Sequence, residues 1–155
     1  MRLSKDFHLY EFERSSTATR LGIDNKASNK IIGNIQALVD HVLQPLRDLY
    51  DQSIRIASGY RCPTLNSIIG GAQHSQHMTG DAADIDTERD NLQLFNLIIR
   101  GHLPFDQLIW EFGQLKPEWI HVSYAGANGR GQILRAYRDD HGVHYSPFIY
   151  KQPKE

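Results

Sequence analysis

Nine apolar side chains, Ile31, Ile32, Ile35, Leu38, Val39, Val42, Leu43, Leu46 and Leu49, recur at intervals of three and four. That spacing puts them along one side of a helix, so Asn29–Tyr50 is predicted to be an amphipathic helix whose apolar face must be covered. Pro45 has no backbone N–H and should kink or divide the helix near its end. The segments after it are suited to cover that face. Ser53–Ser58 alternates like a half-buried strand and stops at Gly59, and Ala82–Asp86 reads as a short buried strand. Gln107–Phe112, Trp119–Tyr124 and Ile133–Tyr137 are further strands, the last pairing with Val143–Tyr145 across Asp139–Gly142. Helices are predicted over Pro63–Ile69 and Arg89–Arg100, and Gly126–Gly131 reads as a loop. Helices come first and strands cluster later, which predicts an α+β fold with a mostly antiparallel sheet packed against helices.

At 155 residues the chain has the size of one ordinary domain. The predicted organisation is an arm and helix over 1–52, a core over 53–125, and C-terminal strands and tail over 126–155. Seventeen basic and 18 acidic side chains leave a net charge of −1, which gives no electrostatic footprint for nucleic acid and no polybasic surface for a membrane. No apolar run approaches the ~20 residues of a membrane-spanning helix, and the charged first twenty residues do not read as a signal peptide. The chain is therefore expected to be soluble, made in the cytoplasm, and by default monomeric. Its single cysteine, Cys62, cannot form an internal disulfide, and as a small residue beside a loop it reads as a buried hydrophobe.

Eight histidines raise the question of metal. The stretch Ser58–Asp86 gathers Arg61, His74, Ser75, His77, Asp81, Asp84 and Asp86 where the chain turns between strands. A catalytic zinc site needs three converging nitrogen, thiolate or carboxylate donors and one position left open. His77 and Asp84 are seven apart with Gly80 between them, and His121 offers a third donor from a separate strand. Asp86 shares a strand face with Asp84, and spacing alone does not separate the two. Glu118, three residues before His121, is close enough in sequence to serve as a general base. His74 adjoins the site, and Gln107 could line a cleft, though a structural role suits it better. His8, His41, His102, His141 and His144 read as surface or packing residues.

Three elements then carry a resemblance. Ser75-Gln76-His77-Met78-Thr79-Gly80-Asp81-Ala82-Ala83-Asp84 matches the pattern S-x-H-x-x-G-x-A-x-D, Glu118-Trp119-Ile120-His121 matches acidic-x-x-His, and Ser58-Gly59-Tyr60-Arg61 matches S-G-Y-R. In this order they resemble the zinc D-alanyl-D-alanine carboxypeptidases, a family similar to the D-alanyl-D-alanine dipeptidases, the phage L-alanyl-D-glutamate endolysins and the hedgehog domain. The amino-terminal arm and helix resemble the small phage or prophage branch.

The resemblance implies a hedgehog-like single domain in which His77, Asp84 and His121 bind one zinc ion, settling Asp84 over Asp86. It implies that Glu118 moves the proton from the attacking water to the leaving amine. Arg61 would hold the substrate carbonyl oxygen or the oxyanion formed from it, and Ser75, Trp119 and Tyr60 would contact substrate. Gly80 and Ala82 serve close packing. The implied activity is hydrolysis of an amide in peptidoglycan stem peptides, by a D-alanyl-D-alanine carboxypeptidase in the first place. An L-alanyl-D-glutamate endopeptidase is the alternative, and a non-catalytic zinc module of cell wall or virion is a third reading. A wall substrate requires release by lysis, delivery in a phage particle or another export route.

Overall fold

The computed structural model describes residues 1–154. The arm is two short helices, α1 (Leu9–Glu13) and α2 (Ser16–Leu21), the second capped by the Ser15 hydroxyl and closed by Gly22 in the left-handed conformation. Phe7 and Phe12 anchor the arm in the core. The long apolar stripe forms α3 (Asn29–Leu38) and α4 (Gln44–Tyr50), joined by a π-helical segment over Val39–Leu43. Pro45 lies in the first turn of α4. Because proline cannot donate to the carbonyl one turn back, a wider turn in front of it lets the helix continue. The expected division thus falls just before Pro45, and Leu38, Val39, Val42, Leu43 and Leu46 are all fully buried.

The strands are β1 (Arg55–Ser58), β2 (Ala82–Asp86), β3 (Gln107–Glu111), β4 (Trp119–Ser123), β5 (Gln132–Asp139) and β6 (Gly142–Pro147). They form one sheet of order β1-β2-β4-β3-β5-β6, antiparallel throughout except for β3 with β5. The β5–β6 hairpin is longer than its apolar residues suggested, because Arg138 and Asp139 of β5 and Ser146 and Pro147 of β6 continue the ladder. Between the strands lie α5 (Pro63–Ile68), a 3₁₀ turn over Gln76–Met78 and α6 (Asn91–Arg100), the last capped by Asp90. Among the described residues no helix is long and apolar enough to cross a membrane.

Alternation along the strands divides the sheet by parity. Ile56, Ala83, Ile85, Leu108, Trp110, Ile120 and Val122 join the α3, α4 and α6 side chains in one core. The opposite face therefore presents Asp84, Trp119, His121, Ile109 and Glu111, and it is there that polar chemistry collects.

Candidate active site

Asp84 and His121 are direct partners in the β2–β4 ladder, and His121 is also opposite Ile109 of β3. His77 reaches the same place from the 3₁₀ turn, which Ser75 caps: the His77 N–H donates to Ser75 Oγ at 3.2 Å. Donor atoms of His77, Asp84 and His121 lie within 4.8 Å of one another. Asp84 Oδ1 is 3.2 Å from both His77 Nε2 and His121 Nδ1, and the two rings stand edge to face with centroids 5.2 Å apart. The other ring nitrogen of His77, Nδ1, lies 2.7 Å from the Gly59 carbonyl, which only accepts, so Nδ1 carries the hydrogen. Nε2 then turns a lone pair toward a carboxylate oxygen. A cation resolves that arrangement, and two imidazoles and one carboxylate form a donor set suited to zinc.

The Asp84 carboxyl is buried, which alone would raise its pKa; when both imidazoles take up a second proton in the metal-free protein, the charge of His77 and the hydrogen bonds the two rings then donate outweigh burial and hold it well below the usual carboxylate range. Its other oxygen, Oδ2, accepts from Arg61 at 3.4 Å. Arg61 also donates to Ser58 Oγ and Asn66 Oδ1, so a side chain only 15% exposed is fixed at the edge of the candidate metal cluster.

A cavity of about 760 Å³ opens over this cluster, lined among others by Arg61, His74, Ser75, Gln107, Trp119 and Arg138. Trp119 packs edge-on against Phe112, with centroids 5.3 Å apart. Glu118 is placed elsewhere. Its side chain is exposed and does not line the cavity, while its backbone N–H donates to Glu111 and its carbonyl accepts from Asn91. The reason is strand geometry: residues three apart on extended backbone face opposite ways, and Glu118 precedes β4. Tyr60 is also placed away from the cavity, buried in the hydrophobic core.

The carboxylate that does line the cavity is Glu111, 6% exposed and paired in the ladder with Trp119. Burial pushes its carboxyl up to about 7, with the nearby charge of Asp84 acting in the same direction. Sequence reasoning missed it, although a lone glutamate ending the apolar strand Leu108-Ile109-Trp110 and sharing parity with Ile109 was a usable signal. Arg138 and Tyr145 of the C-terminal hairpin line the same cavity and were not foreseen either. Asp86 takes no part in the cluster and pairs with Arg55 at the sheet edge.

The family described as Peptidase M15 matches residues 5–123. The chain belongs to that family. The matched residues contain the whole His77–Asp84–His121 cluster and Arg61, so an M15 peptidase match and a buried metal-binding geometry coincide on the same side chains. A search of curated proteins returned no match.

Proposed function

We propose that this M15 family member is a zinc-dependent peptidase acting on the stem peptide of bacterial peptidoglycan, with D-alanyl-D-alanine carboxypeptidase as the preferred activity. The observation that carries the reading is one cavity that holds three convergent metal donors, a fixed guanidinium and a buried carboxyl with a pKa near neutrality. Zinc held by His77, Asp84 and His121 would supply a Lewis acid for the amide carbonyl and lower the pKa of water at its open position.

The chain's own residues supply the rest. Glu111, not Glu118, takes the proton from attacking water and passes it to the leaving amine, since a base works best with a pKa near the working pH. Arg61 donates to the carbonyl oxygen as negative charge develops on it, and its bonds to Ser58, Asn66 and Asp84 hold it ready. Trp119 walls the cleft beside them. The preference for a carboxypeptidase over an endopeptidase rests on Arg138. This cation lines the cavity, lies 3.7 Å over the Phe112 ring and has no ion pair among the described residues, which suits it to a terminal carboxylate.

Peptidoglycan as partner places the site of action outside the membrane, reached by lysis, phage delivery or another route. The test is incubation of zinc-loaded protein with a stem pentapeptide ending in D-alanyl-D-alanine. Release of free D-alanine that stops on chelation supports the reading. New amino termini at D-glutamate instead would indicate the endopeptidase, and neither product would refute peptidase action on this substrate.

A further inference from the structure

A chain of hydrogen bonds leads from His121 away from the metal donors to a surface arginine. Gln76, the residue before the ligand His77, places Oε1 3.4 Å from His121 Nε2 and Nε2 2.8 Å from Asp106 Oδ2. Asp106 is 3% exposed and starts the turn into β3. Its Oδ1 accepts from the backbone and Nε of Arg130, each at 3.0 Å, and its Oδ2 accepts from the Arg130 terminal nitrogen at 2.8 Å. Its backbone is pinned as well: its N–H donates to Ser123 and its carbonyl accepts from Gln132. Arg130 lies beyond the residues that match the family.

Each link in this chain forces the next. With Arg130 donating to both its oxygens, Asp106 stays ionised, and an ionised carboxylate only accepts. The end of Gln76 that faces it must then be the NH₂ group. The opposite end, facing His121, is a carbonyl oxygen, which also only accepts. His121 Nε2 must therefore carry the ring hydrogen, leaving the Nδ1 lone pair directed at Asp84 beside His77 Nε2.

We infer that Gln76, oriented by Asp106 and Arg130, is a positioning residue that sets the tautomer of His121 and so presents Nδ1 to the metal. The inference rests on the metal-site part of the proposed function and not on the identity of the substrate. Ligating histidines held through their second nitrogen typically lose 10- to 100-fold in metal affinity when that hold is removed. A purely structural role for Gln76, tying the ligand loop to the sheet, would move thermal stability and leave the ring chemistry of His121 alone.

The experiment uses the full chain and zinc alone. Nitrogen–proton correlation spectra of ¹⁵N-histidine protein loaded with zinc should show His121 with a protonated Nε2 and a metal-bound Nδ1. Competition with a chromophoric chelator should show Gln76→Met binding zinc about 10- to 100-fold more weakly. The double variant Gln76→Glu with Asp106→Asn reverses donor and acceptor between residues 76 and 106 while His121 Nε2–H still donates to residue 76, and it should recover affinity to within about threefold of wild type. Metal bound through His121 Nε2, or unchanged affinity in Gln76→Met, would overturn the inference. Wild-type protein that binds no zinc would overturn both it and the metal reading. Zinc bound as expected without peptide cleavage would overturn only the proposed activity.

Discussion

Glu111 stands opposite Trp119 across the β3–β4 ladder, and this register puts it on the sheet face that carries His121 while Glu118 falls in the preceding turn. The assignment of a proton-transfer role therefore turns on strand pairing. It also has a consequence for stability. The Glu111 carboxyl is raised from 4.5 to about 7, chiefly by burial. In the metal-free protein the folded state keeps its proton up to that pH while the unfolded chain loses it near 4.5, so stability falls as pH rises between the two.

Substituting Glu111→Gln removes this burden. In zinc-free protein the variant should gain stability relative to wild type on going from pH 4.5 to pH 8, by about 3 kcal/mol from the size of the shift. Urea titrations at the two pH values check it, and an equal effect at both would contradict the buried, raised carboxyl.

Gly59 couples the arm to the metal donors. A Cβ there would lie 2.5 Å from Phe12 Cα, while the Gly59 carbonyl holds His77 Nδ1. Gly59→Ala is expected to destabilise the fold by about 2 kcal/mol or more through overpacking. It should also weaken zinc binding, measurable by chelator competition in whatever fraction remains folded. A variant with wild-type stability would show that α1 does not press on this turn.

Asp106 should give the opposite pH signature to Glu111. Arg130's hydrogen bonds hold its carboxyl well below the usual range, against the opposing effect of burial. The folded pKa is depressed, so this stabilisation is present above about pH 4 and is lost as pH falls below it. Asp106→Asn should cost about 1–3 kcal/mol at pH 7, with the gap to wild type closing toward pH 2. A pH-independent difference would mean that the carboxylate charge is not what Arg130 recognises.

Much of this architecture was legible in sequence because it is written in short-range patterns. The three-and-four stripe over Ile31–Leu49 marked the long helix, and the short segments Ala82–Asp86 and Trp119–Tyr124 marked the β2 and β4 strands that carry Asp84 and His121. The ligand motif compresses His77 and Asp84 into one loop and one strand, and the family resemblance, not spacing, chose Asp84 over Asp86. Glu111 was harder to see because its role depends on which residue of β4 it faces, a property of pairing register and not of local sequence. The acidic-x-x-His pattern pointed to Glu118, yet an odd spacing on a strand reverses the face. Gln76 was hidden for a different reason, since nothing near it in sequence indicates that Asp106, thirty residues on, orients its amide.

Arg138 bears on the scissile bond. Arg138→Gln should raise KM about tenfold or more for peptides with a free terminal carboxylate, with little change in kcat, and should not affect peptides amidated at that end. That expectation comes from the loss of a charged hydrogen bond to substrate. Equal effects on both peptides would detach Arg138 from carboxylate recognition and favour an open, endopeptidase cleft.

The most direct test compares two neutral substitutions in zinc-loaded protein, with D-alanine release from a stem pentapeptide as readout. Glu111→Gln should lower kcat about 10²- to 10⁴-fold with zinc still bound, the range expected for loss of a general base, whereas Glu118→Gln should stay within about threefold of wild type. The reverse result, an inactive Glu118→Gln and an active Glu111→Gln, would contradict a site whose base is Glu111.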